Sequence, residues 1–81
     1  MPRLKDVLTE SGNVYVKVEL GASSDKFDHK SGDTYHIKLK TEDMGESDGA
    51  LESFMSKELK RSVSLVSGRG SKEKKVYVSA H

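Results

Sequence analysis

Cysteine is absent from this 81-residue chain, and its one proline, Pro2, stands next to the start. The first absence excludes disulfides, thiolate metal sites and cysteine nucleophiles. No apolar run approaches the roughly 18 residues of a membrane span. Met1 to Asp6 lacks the apolar centre of a signal peptide, so the expected setting is cytoplasmic, with no membrane partner. There is no internal repeat, proline-rich linker or low-complexity tract. Aromatic residues make up only 6% of the chain, and no stacking pair like those of single-strand nucleic-acid binders is expected: Tyr77 is the only aromatic near the basic end, and Tyr15 and Tyr35 read as sheet residues, not base platforms.

Apolar and charged residues each contribute 33% of the chain. A chain of this length makes one domain, spanning residues 1–81, and buries only about 60–65% of its unfolded surface. The core is therefore expected to be thin, with helix on one side of one sheet. A net charge of +1 is not that of a disordered polyelectrolyte, but the charges are unevenly placed. Glu42 to Glu52 holds five acids and no base, whereas Lys57 to Lys75 holds seven bases and two acids. The result is a dipolar surface, whose two halves can offset each other or meet partners of opposite charge.

Hydrophobic spacing supplies the elements. Leu4, Val7 and Leu8 fit a short N-terminal helix. Val14, Val16, Val18 and Leu20 alternate with polar residues as a strand with one buried face. Tyr35, Ile37, Leu39 and Thr41 make a second strand, reached by a long loop over Gly21 to Thr34 and expected to run antiparallel to the first. Within that loop Phe27 is an expected anchor and Ser31-Gly32-Asp33 a turn. Leu51, Phe54, Met55 and Leu59 form the inner stripe of a helix over about 48–60, with Ser47 or Asp48 as its cap. Val63 to Val66 and Lys75 to Val78 are strands three and four. The order is short helix, β, β, helix, β, β, an α+β fold of two layers with the long helix on one face of the sheet.

Between the last two strands lies a loop, Ser67-Gly68-Arg69-Gly70-Ser71-Lys72-Glu73-Lys74-Lys75. Its two glycines let backbone amides converge on an anion, and its serines add donors. Arg69, Lys72, Lys74 and Lys75 add charge. It is no P-loop: the glycine spacing differs and a strand follows where a helix belongs. The plainer alternative is a hairpin whose glycines serve backbone geometry and whose lysines stay hydrated.

Several runs resemble one family. Val16-Lys17-Val18-Glu19-Leu20-Gly21-Ala22-Ser23 is similar to its strand opening with Pro-Gly-Ala-Ser. Leu51 to Leu59 resembles its Leu-Ile-Glu-Phe-Leu-Ala-Lys-Ala-Leu helix. Val66-Ser67-Gly68-Arg69-Gly70-Ser71-Lys72-Glu73-Lys74 resembles its Val-Ser-Gly-x-x-Ser-Arg-x-Lys hairpin. These are features of the YggU-like proteins of bacteria and archaea, and the likeness spans roughly Val14 to Val78. It implies a two-layer α+β fold with a mixed four-stranded sheet, and no activity. Leu20 replaces the family proline, and Lys40-Thr41-Glu42 replaces Ala-Pro-Pro. Gly45-Glu46-Ser47-Asp48 stands where the family has Gly-Lys-Ala-Asn, so any anion binding by that segment is expected to be lost or altered.

Among function classes, binding stands ahead of catalysis. The leading expectation is a non-enzymatic module that binds RNA or another phosphate-bearing ligand through Ser67, Gly68, Arg69, Gly70, Ser71, Lys72, Lys74 and Lys75. Lys57, Lys60 and Arg61 would extend the patch. The alternative is a protein-interaction module using a sheet edge or the acidic segment 42–48. A small enzyme pairing His36 with Ser67 or Ser71 ranks third. No cofactor is implied. Glu42, Asp43, Glu46 and Asp48 have no calcium-loop spacing. His29 with Asp25, Asp28 and Asp33 lacks a defined ligand set, so no metal is expected.

Overall fold

The computed structural model describes residues 3–80. The chain runs α1 (Leu4–Val7), β1 (Gly12–Glu19), β2 (Lys26–Ser31), β3 (Thr34–Lys38), α2 (Met44–Leu59), β4 (Val63–Ser67) and β5 (Glu73–Val78). The strands form one mixed sheet in the order β2-β3-β1-β5-β4. The fold is α+β, with helices over one sheet face.

Period-two alternation builds that face. Val14, Val16 and Val18 of β1, Tyr35 and Ile37 of β3, and Val76 and Val78 of β5 are all buried. Leu51, Met55 and Leu59 of α2 cover them, spaced four residues apart along one helical stripe. Leu4 and Leu8 close the core from the N-terminal turn. Arg61 holds that end together: its guanidinium donates to the carbonyls of Leu8, Glu10 and Ser79.

Three expectations need correction. The sheet has five strands instead of four, because Lys26–Ser31 is a strand within the stretch read as a loop. Its side chains are exposed on both sides except for Phe27, so it shows no alternation. Phe27 itself leans on the core, its ring 6.3 Å from that of Tyr35. The added strand also reverses the expected pairing. β2 and β3 form an antiparallel hairpin across the Ser31–Thr34 turn, which brings β3 back parallel to β1.

The long helix begins at Met44, not near Asp48. Asp43 is its N-cap, its carboxylate accepting from the Gly45 amide at 2.8 Å. The first turn has no hydrophobic signature, because Gly45, Glu46 and Ser47 carry no apolar stripe. The Ser47 hydroxyl lies inside the helix and donates to the Met44 carbonyl.

The helix ends at Lys60, which takes a left-handed conformation with φ 55°. An L side chain there costs roughly 1–2 kcal/mol, and glycine relieves it at a smaller cost in unfolded-state entropy. Lys60→Gly is expected to stabilise the fold by about 0.5–1 kcal/mol, raising the melting temperature by about 2–6 °C. Thermal unfolding checks it; a lower melting temperature would assign the Lys60 side chain a stabilising role.

Candidate nucleic-acid interface

The hairpin loop is fastened to the helix from inside. β5 starts at Glu73, so the alternation Lys74, Val76, Val78 turns Lys74 toward the core, where it is only 3% exposed. Asp48 lies on the inner face of α2, one turn ahead of Leu51. The Lys74 ammonium donates to the Asp48 carboxylate and, at 3.3 Å, to the Gly68 carbonyl. The same carboxylate accepts the Gly70 amide at 3.2 Å. Asp48 therefore stands where an external anion would sit in a glycine-loop site.

That arrangement sets the electrostatics. The Lys74 hydrogen bond holds the Asp48 carboxyl below its ordinary value of 3.8, helped by the Gly70 amide and the nearby charges of Lys74 and Arg69. Burial opposes the shift and is outweighed. Gly68 is needed for close approach as well as for its φ of +87°. A Cβ there would fall 2.3 Å from the Glu73 carbonyl oxygen and 2.7 Å from the Lys74 Cα.

The remaining loop candidates divide. Ser71 holds the loop, accepting the Glu73 amide at its hydroxyl and donating its own amide to Gly68. Ser67 ends β4 opposite Lys75. Arg69 and Lys72 are exposed, and their side chains make no hydrogen bond or ion pair among the described residues; the Lys72 carbonyl accepts the Val18 amide at 2.8 Å. Lys75 is half-buried, its ammonium 5.8 Å from the centre of the Tyr15 ring. Arg61, expected to extend the basic patch, spends its guanidinium on backbone carbonyls. Lys74, expected as an anion ligand, is buried against Asp48.

Among the described residues no element covers the second face of the sheet. Tyr15, Lys17 and Glu19 of β1 project there, beside His36 and Lys38 of β3 and Glu73, Lys75 and Tyr77 of β5. Tyr15 pairs with Lys75 and Asn13 with Tyr77, so the two tyrosines are diagonal neighbours. They are 55% and 50% exposed, and with Val66 they are the large apolar side chains left exposed among the described residues. Tyr15 and Tyr35 are both strand residues, as expected, but they face opposite sides of the sheet: Tyr35 is core and Tyr15 faces water. The parity signal separates them: Tyr35 aligns with Val16 across the β1/β3 pair.

Toward the C-terminal ends of β1 and β3, His29 and His36 stack with centroids 4.3 Å apart and planes 8° from parallel. His29 Nδ1 donates to Asp28 at 2.8 Å and holds that carboxyl below its ordinary value. Lys38 pairs with Glu19 at 3.6 Å. His36 makes no hydrogen bond to Ser67 or Ser71 among the described residues; its ring stacks on His29. The acids Asp43, Glu46 and Asp48 serve the helix cap, Thr41 and Lys74 respectively. No group of three or more metal-ligating side chains occurs among the described residues, and no helix there is long and apolar enough to cross a membrane.

The sheet edges differ. Along β4, the Val63 and Leu65 amides donate to Ser56 and Glu52 of α2, so the helix occupies that edge. β2 is the other edge and carries exposed Lys26, Asp28 and Lys30. No family model, curated protein or solved structure matches the chain.

Removing the Asp48 charge would leave the Lys74 ammonium buried and unpaired, so Asp48→Asn is expected to cost about 3–5 kcal/mol. The folded carboxyl ionises below the unfolded one, so its stabilisation is complete above about pH 4 and is lost as pH falls toward the lowered folded value. Urea unfolding from pH 7 to pH 2.5 checks both points. The double variant Asp48→Leu/Lys74→Met should recover stability and lose this part of the acid dependence. A double variant with an unchanged acid profile would contradict the assignment.

Proposed function

We propose that the chain is a non-enzymatic, cytoplasmic module that binds single-stranded RNA on the uncovered face of its sheet. The observation that carries this is the pair of half-exposed tyrosines, Tyr15 and Tyr77, set diagonally on neighbouring strands with Lys75 between them and Lys17 beside them. A folded domain that leaves aromatic rings in water on a flat, lysine-bearing surface offers bases a stacking platform and phosphates their counter-charge. Arg69 and Lys72 add unpaired cations from the hairpin. The loop's amides and Lys74 serve architecture. Kinship with the YggU-like proteins belongs to this proposal and rests on the hairpin, helix and strand residues quoted above.

The interaction-module alternative has less to stand on. The acidic segment is drawn into the helix start and the Lys74 pair. One sheet edge is occupied by helix side chains, and charged residues line the other.

Fluorescence anisotropy with a labelled single-stranded RNA tests the proposal. Tyr15→Ala and Tyr77→Ala should each weaken binding by about 5- to 150-fold, the equivalent of roughly 1–3 kcal/mol per stacked base. Lys75→Gln and Lys72→Gln should each lower the slope of log affinity against log salt by about 0.7. Absence of binding at low salt, or tyrosine variants that bind like wild type, would end it.

A further inference from the structure

The uncovered face ends in a depression of about 530 Å³, walled by Lys17 and Glu19 of β1, His36 and Lys38 of β3, His29 of β2 and Lys72 of the hairpin. Its size falls within the range of small-ligand sites, roughly 300–1,000 Å³. Its two acids already have partners: Glu19 pairs with Lys38, and Asp28 accepts a hydrogen bond from His29. The side chains of Lys17 and Lys72 have no hydrogen bond or ion pair among the described residues, and with Lys38 they outnumber Glu19 and Asp28, which leaves the depression with a positive surplus. The stacked imidazoles give it a flat aromatic wall, and histidine rings are among those on which bases stack. Outward positions along β1 recur about every 6.7 Å. They run from the Asn13–Tyr77 row through Tyr15 and Lys17 to Glu19, so a strand lying over the tyrosines would reach the depression with its end.

We propose that this depression seats a phosphate monoester carried on a nucleotide. The base would rest against the His29–His36 stack and the phosphate between the Lys17 and Lys72 ammonium groups. A monoester carries close to two charges at neutral pH, against one for the internal diester, so two unpaired cations favour the monoester. The nucleotide is either the phosphorylated end of a bound strand or a free mononucleotide. The first source rests on the RNA-binding proposal; the second does not.

The test uses the whole chain and one oligoribonucleotide sequence with a 5′-hydroxyl, a 5′-phosphate or a 3′-phosphate end. One phosphorylated end should bind about fivefold more tightly than the hydroxyl form. Lys17→Gln and Lys72→Gln should abolish that advantage, while Tyr77→Ala weakens all three oligonucleotides alike. Equal binding of the three ends overturns the monoester seat and leaves RNA binding intact. If no oligonucleotide binds, the RNA proposal fails and a second arm decides the seat. Adenosine monophosphate should then shift the His29 and His36 ring resonances, with adenosine and inorganic phosphate each shifting them less. No shift with the monophosphate, or an equal shift with inorganic phosphate, overturns the nucleotide assignment.

Discussion

The contact between Lys74 and Asp48 is the constraint on which the arrangement of this small domain turns. A cation on the inner side of β5 and a carboxylate on the inner side of α2 meet at the rim of the core, where Lys74 is shut off from solvent. Two charges so placed hold only if their remaining hydrogen-bonding capacity is filled, and the Gly68 carbonyl and Gly70 amide fill it. The helix, the last strand and the hairpin loop are thereby joined at one point. A loop that resembles an anion cradle becomes a clasp around the protein's own carboxylate. The Gly70 amide and Lys74 are thereby committed within the fold, and other surfaces are left free.

The main such surface follows from size. A chain this short can cover only one side of its sheet, so the outward positions of β1, β3 and β5 stay in water. Most are lysine, glutamate or histidine, as solvation favours. Tyr15 and Tyr77 are the aromatic ones, and they share one neighbourhood. The edges are treated differently: Ser56 and Glu52 take up the β4 amides that would otherwise pair with another chain.

Much of this was legible in the residues and some was not, for identifiable reasons. The valine alternation of β1 and the Leu51, Met55, Leu59 stripe predict an α+β layer pair, and both are present. β2 escaped because a polar edge strand exposes both sides and keeps no period. With it went the parallel pairing of β1 and β3, which depends on the extra reversal. The helix start escaped because Gly45 and its acidic neighbours look like loop, although Asp43 is an ordinary cap. Lys74 and Asp48 were recoverable. Lys74 has the parity of Val76 and Val78, and Asp48 precedes Leu51, Met55 and Leu59 by three, seven and eleven residues, the spacing of one helical face. Composition alone concealed them, since lysine and aspartate count as surface until parity is followed.

The central claim is that the bare sheet face, and not the hairpin's backbone, meets the ligand. Amide and side-chain chemical-shift mapping during titration with single-stranded RNA tests it most directly. The account predicts perturbations concentrated on Tyr15, Lys17, His36, Lys75 and Tyr77, with α2 unmoved. Perturbations confined to α2, or to the Gly68 and Gly70 amides with the sheet face silent, would contradict it.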